Sequence, residues 1–241
     1  MSYSGLIAIS LVASTLFIHH KALTSPTPPT ATPRQYYGTL ERIVFAQIWV
    51  PFTLQKVVVW LLGLVEITII LFRDIKPSSE YSQQILALLP SQHSHISHPI
   101  LNPCFLTGTT LIIAGGVLRL FCYRALGRLF TFEVSVQKKH KLITNGPYRI
   151  VRHPSYAGMM MMSAGIFIWQ IAPSSCIRQS EMLENVGVRF LVIAFTLWSL
   201  TLCYSSFPRA RLEDAIMSNE FGDQWKRWAR EVPYLLIPYI Y

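Results

Sequence analysis

Charge is what this chain has least of. Asp, Glu, Lys and Arg make up only 14% of its 241 residues, against about 25% in an ordinary soluble domain. With 51% hydrophobic residues gathered into long apolar runs, that shortage excludes a conventional water-soluble globule and points to a polytopic membrane protein. Cysteine is also scarce. Cys104, Cys122, Cys176 and Cys203 show no CxxC or Cys/His ligand spacing, so neither a disulfide framework nor a metal site is expected. Cys122 and Cys203 fall inside apolar runs, where a thiol acts as a small hydrophobe.

Acidic residues are fewer than basic ones, 12 against 21, and the surplus is not spread evenly. Arg124, Arg128, Lys138, Lys139, Lys141, Arg149 and Arg152 face Glu133 alone, so this one segment holds six of the nine net positive charges. A basic segment between apolar spans marks a cytoplasmic loop. It does not require a nucleic-acid surface, and none is expected.

Crossing ~30 Å of hydrocarbon takes about 20 mainly apolar residues in a helix. Residues 4–19 are a short first candidate, read as a retained helix because the basic region of a signal peptide is missing. The stretch "TSPTPPTATP" that follows cannot be helical throughout. Residues 43–72 are apolar but contain Pro51, Lys56 and Glu66. One long kinked span and a tight pair both fit; the reading adopted is one span at about 53–72, with 43–51 in the interface. Residues 73–104 read as a loop, and its His93, His95 and His98 as solvated side chains. Further spans are expected at 105–123, where Gly115 and Gly116 allow close helix contact, at about 155–171, and at about 187–205. The last two form a hairpin. This is an all-α, polytopic fold of about five transmembrane helices, with residues 1–104 as N-terminal helices and loops and 105–241 as the core. The segments 124–153 and 206–241 then share one face, the cytosolic one by the distribution of basic residues.

The tail "FPRARLEDAIMSNEFGDQWKRWAREVPYLLIPYIY" differs in kind. Leu212, Ala215 and Ile216 mark an apolar helix face. Gly222 fits a stop and Asp223 an N-cap for a second short helix with Trp225 and Trp228. Both helices are expected at the interface rather than across it.

Two stretches carry chemistry. In "GPYRIVRHPSYAG", Gly146-Pro147 is a turn signal, and Pro154 suits the first position of a helix. The residues before it surround a helix N-terminus, where free amides and the positive end of the dipole favour anions. Arg149, Arg152 and His153 add cations there. For Arg149 alone, snorkelling toward lipid phosphates is the simpler reading. In the tail, Arg209 and Glu213 stand four apart on one helix face, with Asp214 adjacent. By itself that is a surface ion pair worth ~0–1 kcal/mol; the expected topology sets it beside the basic loop.

Taken in order, "HKLITNGPYRIVRHPSYAG" and then, two helices later, Arg209, Glu213-Asp214, "FGDQW" and "VP" closely resemble the membrane methyltransferases typified by isoprenylcysteine carboxyl methyltransferase. The resemblance covers about residues 105–241. It implies S-adenosyl-L-methionine as methyl donor, a multi-pass endoplasmic reticulum protein with its site facing the cytosol, and a lipophilic carboxylate as acceptor. That acceptor is the C-terminal prenylcysteine of a prenylated protein or a small terpenoid acid. Carried over by position, the donor contacts His140, Lys141, Leu142, Ile143, Tyr148, His153, Pro154, Ser155, Tyr156 and Glu213, and Arg209 lies near the acceptor. Asp214 stands where many relatives carry a second glutamate, and Trp225 and Trp228 where tyrosines are common. Gln137 remains unassigned, as does the oligomeric state.

The chemistry suits these residues. A carboxylate with a reference pKa near ~4 is ionised at neutral pH, so no strong base is needed; the transfer demands alignment, worth on the order of 7–11 kcal/mol. The rivals are an NADPH-dependent sterol reductase, whose ending "VPYLLIPYIY" resembles, and a phospholipid N-methyltransferase.

Overall fold

The computed structural model describes residues 2–27, 49–75, 100–132, 141–179 and 182–240. The segment 43–48, His93, His95, His98, Gln137 and the expected donor residue His140 lie outside the described residues.

Every regular element among the described residues is helical. The long helices are α1 (Tyr3–Ala22), α2 (Trp49–Ile75), α3 (Pro103–Leu126) and α4 (Pro154–Ile171). They are followed by the short α5 (Cys176–Gln179), then α6 (Val186–Phe221) and α7 (Asp223–Glu231). Among the described residues, five helices are long and apolar enough to cross a membrane: Tyr3–Ala22, Phe52–Phe72, Pro103–Leu129, Pro154–Arg178 and Val186–Phe221. Helices are the expected solution in lipid, because each satisfies its backbone groups internally. The protein is thus the all-α, polytopic membrane protein that its composition demands.

One departure from the sequence reading matters for function. The last span does not end near residue 205 with a separate helix after it; α6 runs unbroken for 36 residues through Pro208. Proline denies the helix one donor, but the turn beyond it is held by tertiary packing. Ala210 is fully buried against Leu235 and Leu236, and Arg209 donates to the Phe132 carbonyl. At 1.5 Å per residue α6 is about 54 Å long, well beyond the ~30 Å of hydrocarbon. The apolar face of its last third is narrower than expected, since Ile216 is buried but Ala215 is exposed. The chain breaks at Gly222, whose φ of 52° favours glycine. Gly222 is itself the N-cap of α7, and Asp223 is the first helical residue rather than the cap.

The residues group into two compact units. The first comprises 1–19, 57–114 and 161–201. Here α3 and α4 pack backbone to backbone: a Cβ on Gly165 would lie 2.7 Å from the Gly108 carbonyl oxygen, and one on Gly108 would lie 2.7 Å from the Trp169 nitrogen. Asn102 caps α3 through Oδ1 to the Phe105 N–H at 3.0 Å and donates to Ser174 Oγ at 2.6 Å. Glu66, a buried carboxylate on α2, accepts the Cys176 N–H at 2.9 Å. That partner explains how an acid is tolerated on an apolar helix.

The second unit comprises 20–56, 115–160 and 202–241, and it holds both stretches singled out above. A Cβ on Gly158 would lie 2.6 Å from the Gly115 carbonyl oxygen, so α3 and α4 are close here too. Gly146 opens a 3-10 turn, Gly146–Arg149, with φ 61°, as the glycine–proline signal requires. Tyr148, Cys122, Trp228 and Val232 form a buried cluster with Leu142, Ile143 and Trp225 packed around it.

Candidate functional site

Pro154 occupies the first position of α4, which leaves His153 at its mouth. The His153 carbonyl accepts the N–H groups of Tyr156 and Ala157, at 3.1 and 3.4 Å. The two residues before the helix are held from the other side: Arg152 N–H donates to the Tyr234 carbonyl and His153 N–H to the Leu235 carbonyl, both at 2.9 Å. The "VPYLL" segment therefore braces the start of α4. Arg119, buried on α3, braces the first turn by donating from Nη1 to the Ser155 carbonyl (3.1 Å) and hydroxyl (3.2 Å). Its Nε donates to the Ala22 carbonyl at 2.9 Å and its Nη2 to the Tyr123 hydroxyl at 3.0 Å.

So framed, His153 meets the tail acids with both ring nitrogens. Nε2 lies 2.9 Å from Asp214 Oδ1 and Nδ1 3.3 Å from Glu213 Oε2. A neutral imidazole has one N–H, so only the imidazolium satisfies two carboxylates. Burial alone would lower the pKa of His153, but hydrogen bonds to Asp214 and Glu213 and their charges outweigh it, holding it at about 9. Arg152 Nη1 reaches Asp214 Oδ2 at 3.3 Å. Glu213 Oε1 receives the Arg209 Nε at 3.3 Å and the Tyr156 hydroxyl. Tyr156 stacks on His153 with centroids 5.8 Å apart and planes at 30°, while the Arg209 guanidinium lies 5.8 Å from the Tyr156 ring centre. Arg209 is 7% exposed, which rules out the plain surface pair.

The cluster binds three cations, Arg152, His153 and Arg209, to two carboxylates, Glu213 and Asp214. It carries a surplus positive charge with little water to screen it, an arrangement suited to one further anion.

Among the expected site residues, His153, Tyr156, Arg209 and Glu213 touch directly. Ser155 is held by Arg119, and Pro154 is buried at the helix start. Tyr148 is buried, and its phenol pKa is pushed up by burial, by the Cys122 thiol and by Glu213. Leu142 and Ile143 pack on the Tyr148 cluster; Lys141 is exposed and reaches none of these groups. Arg149 is exposed too, in keeping with its snorkelling alternative. Sequence reasoning missed Arg119, although a lone arginine in an apolar run is itself a signal. It also missed that Asp214 serves two cations and that "VPYLL" is a brace.

Residues 108–213 match the profile described as the isoprenylcysteine carboxyl methyltransferase family. The matched stretch begins at Gly108 and includes Arg119, the 153–156 run, Arg209 and Glu213. The chain is 30% identical over 128 residues to protein-S-isoprenylcysteine O-methyltransferase B of Arabidopsis thaliana, covering 52% of this chain and 55% of that protein. It is 25% identical over 159 residues to a probable protein-S-isoprenylcysteine O-methyltransferase of Oryza sativa subsp. indica, covering 62% and 73%. With the fission yeast (Schizosaccharomyces pombe) protein-S-isoprenylcysteine O-methyltransferase it shares 31% identity over 121 residues, 49% of this chain and 43% of that one. The alignments thus span about half the length of the Arabidopsis and fission yeast relatives. No solved structure matches the chain.

Proposed function

We propose that this chain is a membrane-embedded carboxyl O-methyltransferase that uses S-adenosylmethionine and forms a methyl ester on a lipophilic carboxylate, the prenylcysteine end of a protein or a terpenoid acid. The observation that carries this reading is the meeting of His153, Tyr156, Arg209 and Glu213 in one partly buried cluster, from segments about sixty residues apart. The names borne by the relatives agree with it.

The residues present fit such a donor. The buried donors Arg152 Nε, Trp225 Nε1 and Trp228 Nε1 have no hydrogen-bond partner among the described residues, and Glu213 offers an acceptor in the same unit. His140–Ile143, Tyr148, the 153–156 run and Glu213 would hold it. S-adenosylmethionine, when bound, supplies an electrophilic methyl group on a sulfonium.

The chain's own residues do the rest by positioning. Arg209 is fixed at Nε by Glu213 and at Nη2 by Phe132, so its guanidinium is oriented before a carboxylate arrives. The guanidinium would hold that acceptor in a two-pronged grip. Orienting two reactants this way contributes on the order of 7–11 kcal/mol. The acceptor's apolar tail would enter from the bilayer, a reason for a transferase to be built of membrane helices. The proposed setting is the endoplasmic reticulum membrane, with 124–153 and 206–241 toward the cytosol.

The test is to incubate purified protein with methyl-labelled S-adenosylmethionine and either N-acetyl-S-farnesylcysteine or a terpenoid acid. Base-labile label on one acceptor is the expected result and identifies its class. Tight binding of NADPH with no affinity for S-adenosylmethionine would overturn the reading in favour of a reductase.

A further inference from the structure

Three buried donors in the second unit have no partner among the described residues: the indole N–H of Trp225, that of Trp228, and the Nε–H of Arg152. Such groups are rare in folded proteins, because burial without a partner is costly. Here they gather. Trp225 and Trp228 lie one turn apart on α7, and both belong to the cluster that contains Cys122, Tyr148 and Val232. The Arg152 guanidinium lies 5.7 Å from the Trp225 ring centre. Trp228 is only 8% exposed.

All three are donors that cannot accept. Their partner must therefore be an acceptor, and a guanidinium among them favours an anionic one. The reaction proposed above brings two carboxylates, one on the acceptor and one on the amino-acid end of the methyl donor. Two guanidinium groups bind the tail acids, the buried Arg209 on Glu213 and the partly buried Arg152 on Asp214. Leu142, Ile143 and Tyr148, which the family resemblance puts against the donor, pack on the same cluster as the two tryptophans. Arg209 is not part of that cluster; it is bound to Glu213 and Phe132.

We propose that Trp225, Trp228 and Arg152 form a carboxylate subsite for the amino-acid end of the methyl donor, separate from the acceptor grip of Arg209. Arg152 supplies the charge, kept in place by Asp214 through Nη1 at 3.3 Å. The indoles supply neutral, rigid donors from the apolar side. This rests on the methyltransferase reading and assigns a role to residues of α7 that lie beyond the matched stretch 108–213.

The experiment compares ligand pairs differing only in a carboxylate. Affinities for S-adenosylhomocysteine, for its decarboxylated analogue and for N-acetyl-S-farnesylcysteine are measured by calorimetry in detergent, on wild type, Trp225→Phe and Trp228→Phe. Each variant removes an indole N–H and keeps an aromatic ring. Each should weaken S-adenosylhomocysteine roughly ten-fold, as expected for a hydrogen bond to a charged group. The decarboxylated analogue and the farnesylcysteine should be unchanged within about two-fold. Equal losses for the two adenosyl ligands would overturn the subsite, and a loss confined to farnesylcysteine would hand it to the acceptor instead. A wild type that binds neither adenosyl ligand would sink the methyltransferase reading itself, whereas failure of the subsite alone leaves wild-type binding intact. Should either variant misfold, wild-type protein labelled with 15N at its indoles decides the matter. Two indole protons should move downfield with S-adenosylhomocysteine but not with the decarboxylated analogue, and unmoved signals would refute the proposal.

Discussion

Arg209 and Glu213 stand one helical turn apart on α6, with Nε 3.3 Å from Oε1 and the guanidinium 7% exposed. A pair this buried differs from a solvated one. The loss of one partner leaves an uncompensated charge, at a cost of about 3–5 kcal/mol. Conservative substitutions therefore inform better than truncations. Arg209→Lys keeps the charge but loses the planar fork. Methyl transfer should fall at least about a hundred-fold, the share of two lost charge-assisted hydrogen bonds, while donor affinity stays within a few-fold. Glu213→Gln should weaken donor binding at least as much as turnover. Both quantities are read from binding isotherms and ester formation, and near-normal turnover in Arg209→Lys would remove that residue from the acceptor site.

The second prediction concerns pH. His153 is held at about 9 in the folded protein, against an ordinary value of 6.5. The group is raised, so its contribution to stability is fully present below about 6.5 and is lost as pH rises through about 9. Thermal unfolding in detergent should therefore shift to lower temperature between those two pH values. His153→Gln should melt lower at the acid end of that window and lose most of the slope across it. A variant with an unchanged slope would mean that other groups carry the pH dependence.

What could be read from sequence was local. Gly146-Pro147 makes its turn and Pro154 starts its helix, because both signals act through backbone angles of neighbouring residues. The five long helices follow from apolar length alone. The site is not local. His153 precedes α4 and Glu213 lies on α6, and only the expected topology and the family resemblance brought their segments together in advance. Arg209 is fixed by the Phe132 carbonyl, and Arg152 by the tail backbone at Tyr234. A backbone acceptor leaves no mark on residue identity, so these supports were invisible. The span end expected near residue 205 failed for the opposite reason, since a change in local character was overruled by the packing of Ala210 against Leu235 and Leu236.

Close packing in the first unit gives a third prediction. A Cβ on Gly165 would lie 2.7 Å from the Gly108 carbonyl oxygen and 2.8 Å from Ile112 Cγ1. The carbonyl is backbone and cannot swing aside, so Gly165→Ala should force α3 and α4 apart. Overpacking of this kind costs about 1–3 kcal/mol. The neighbouring Ala164 is exposed, and Ala164→Leu should be neutral within about 0.5 kcal/mol. Equal unfolding transitions for the two variants would show that the glycine contact is not limiting.

Arg119 gives the last prediction. It is a charged side chain, 3% exposed, inside an apolar helix, where burial of an unsatisfied cation would be costly. Its fork is nearly spent on neutral acceptors: Nε on the Ala22 carbonyl, Nη1 on the Ser155 carbonyl and hydroxyl, Nη2 on the Tyr123 hydroxyl. One side chain thus ties the end of α1 to the first turn of α4, the turn that carries Ser155 and Tyr156. A lysine has a single nitrogen and cannot span these acceptors at once, while Arg119→Met abandons all of them and keeps only the apolar stem. Stability should fall in the order wild type, Arg119→Lys, Arg119→Met, the last by about 1–3 kcal/mol for the acceptors left without a partner. Donor affinity should fall in the same order, because Ser155 and Tyr156 lose their brace, and lowering the temperature should restore part of it. An Arg119→Met protein that melts with wild type and binds S-adenosylhomocysteine normally would show that the start of α4 holds its shape without the arginine.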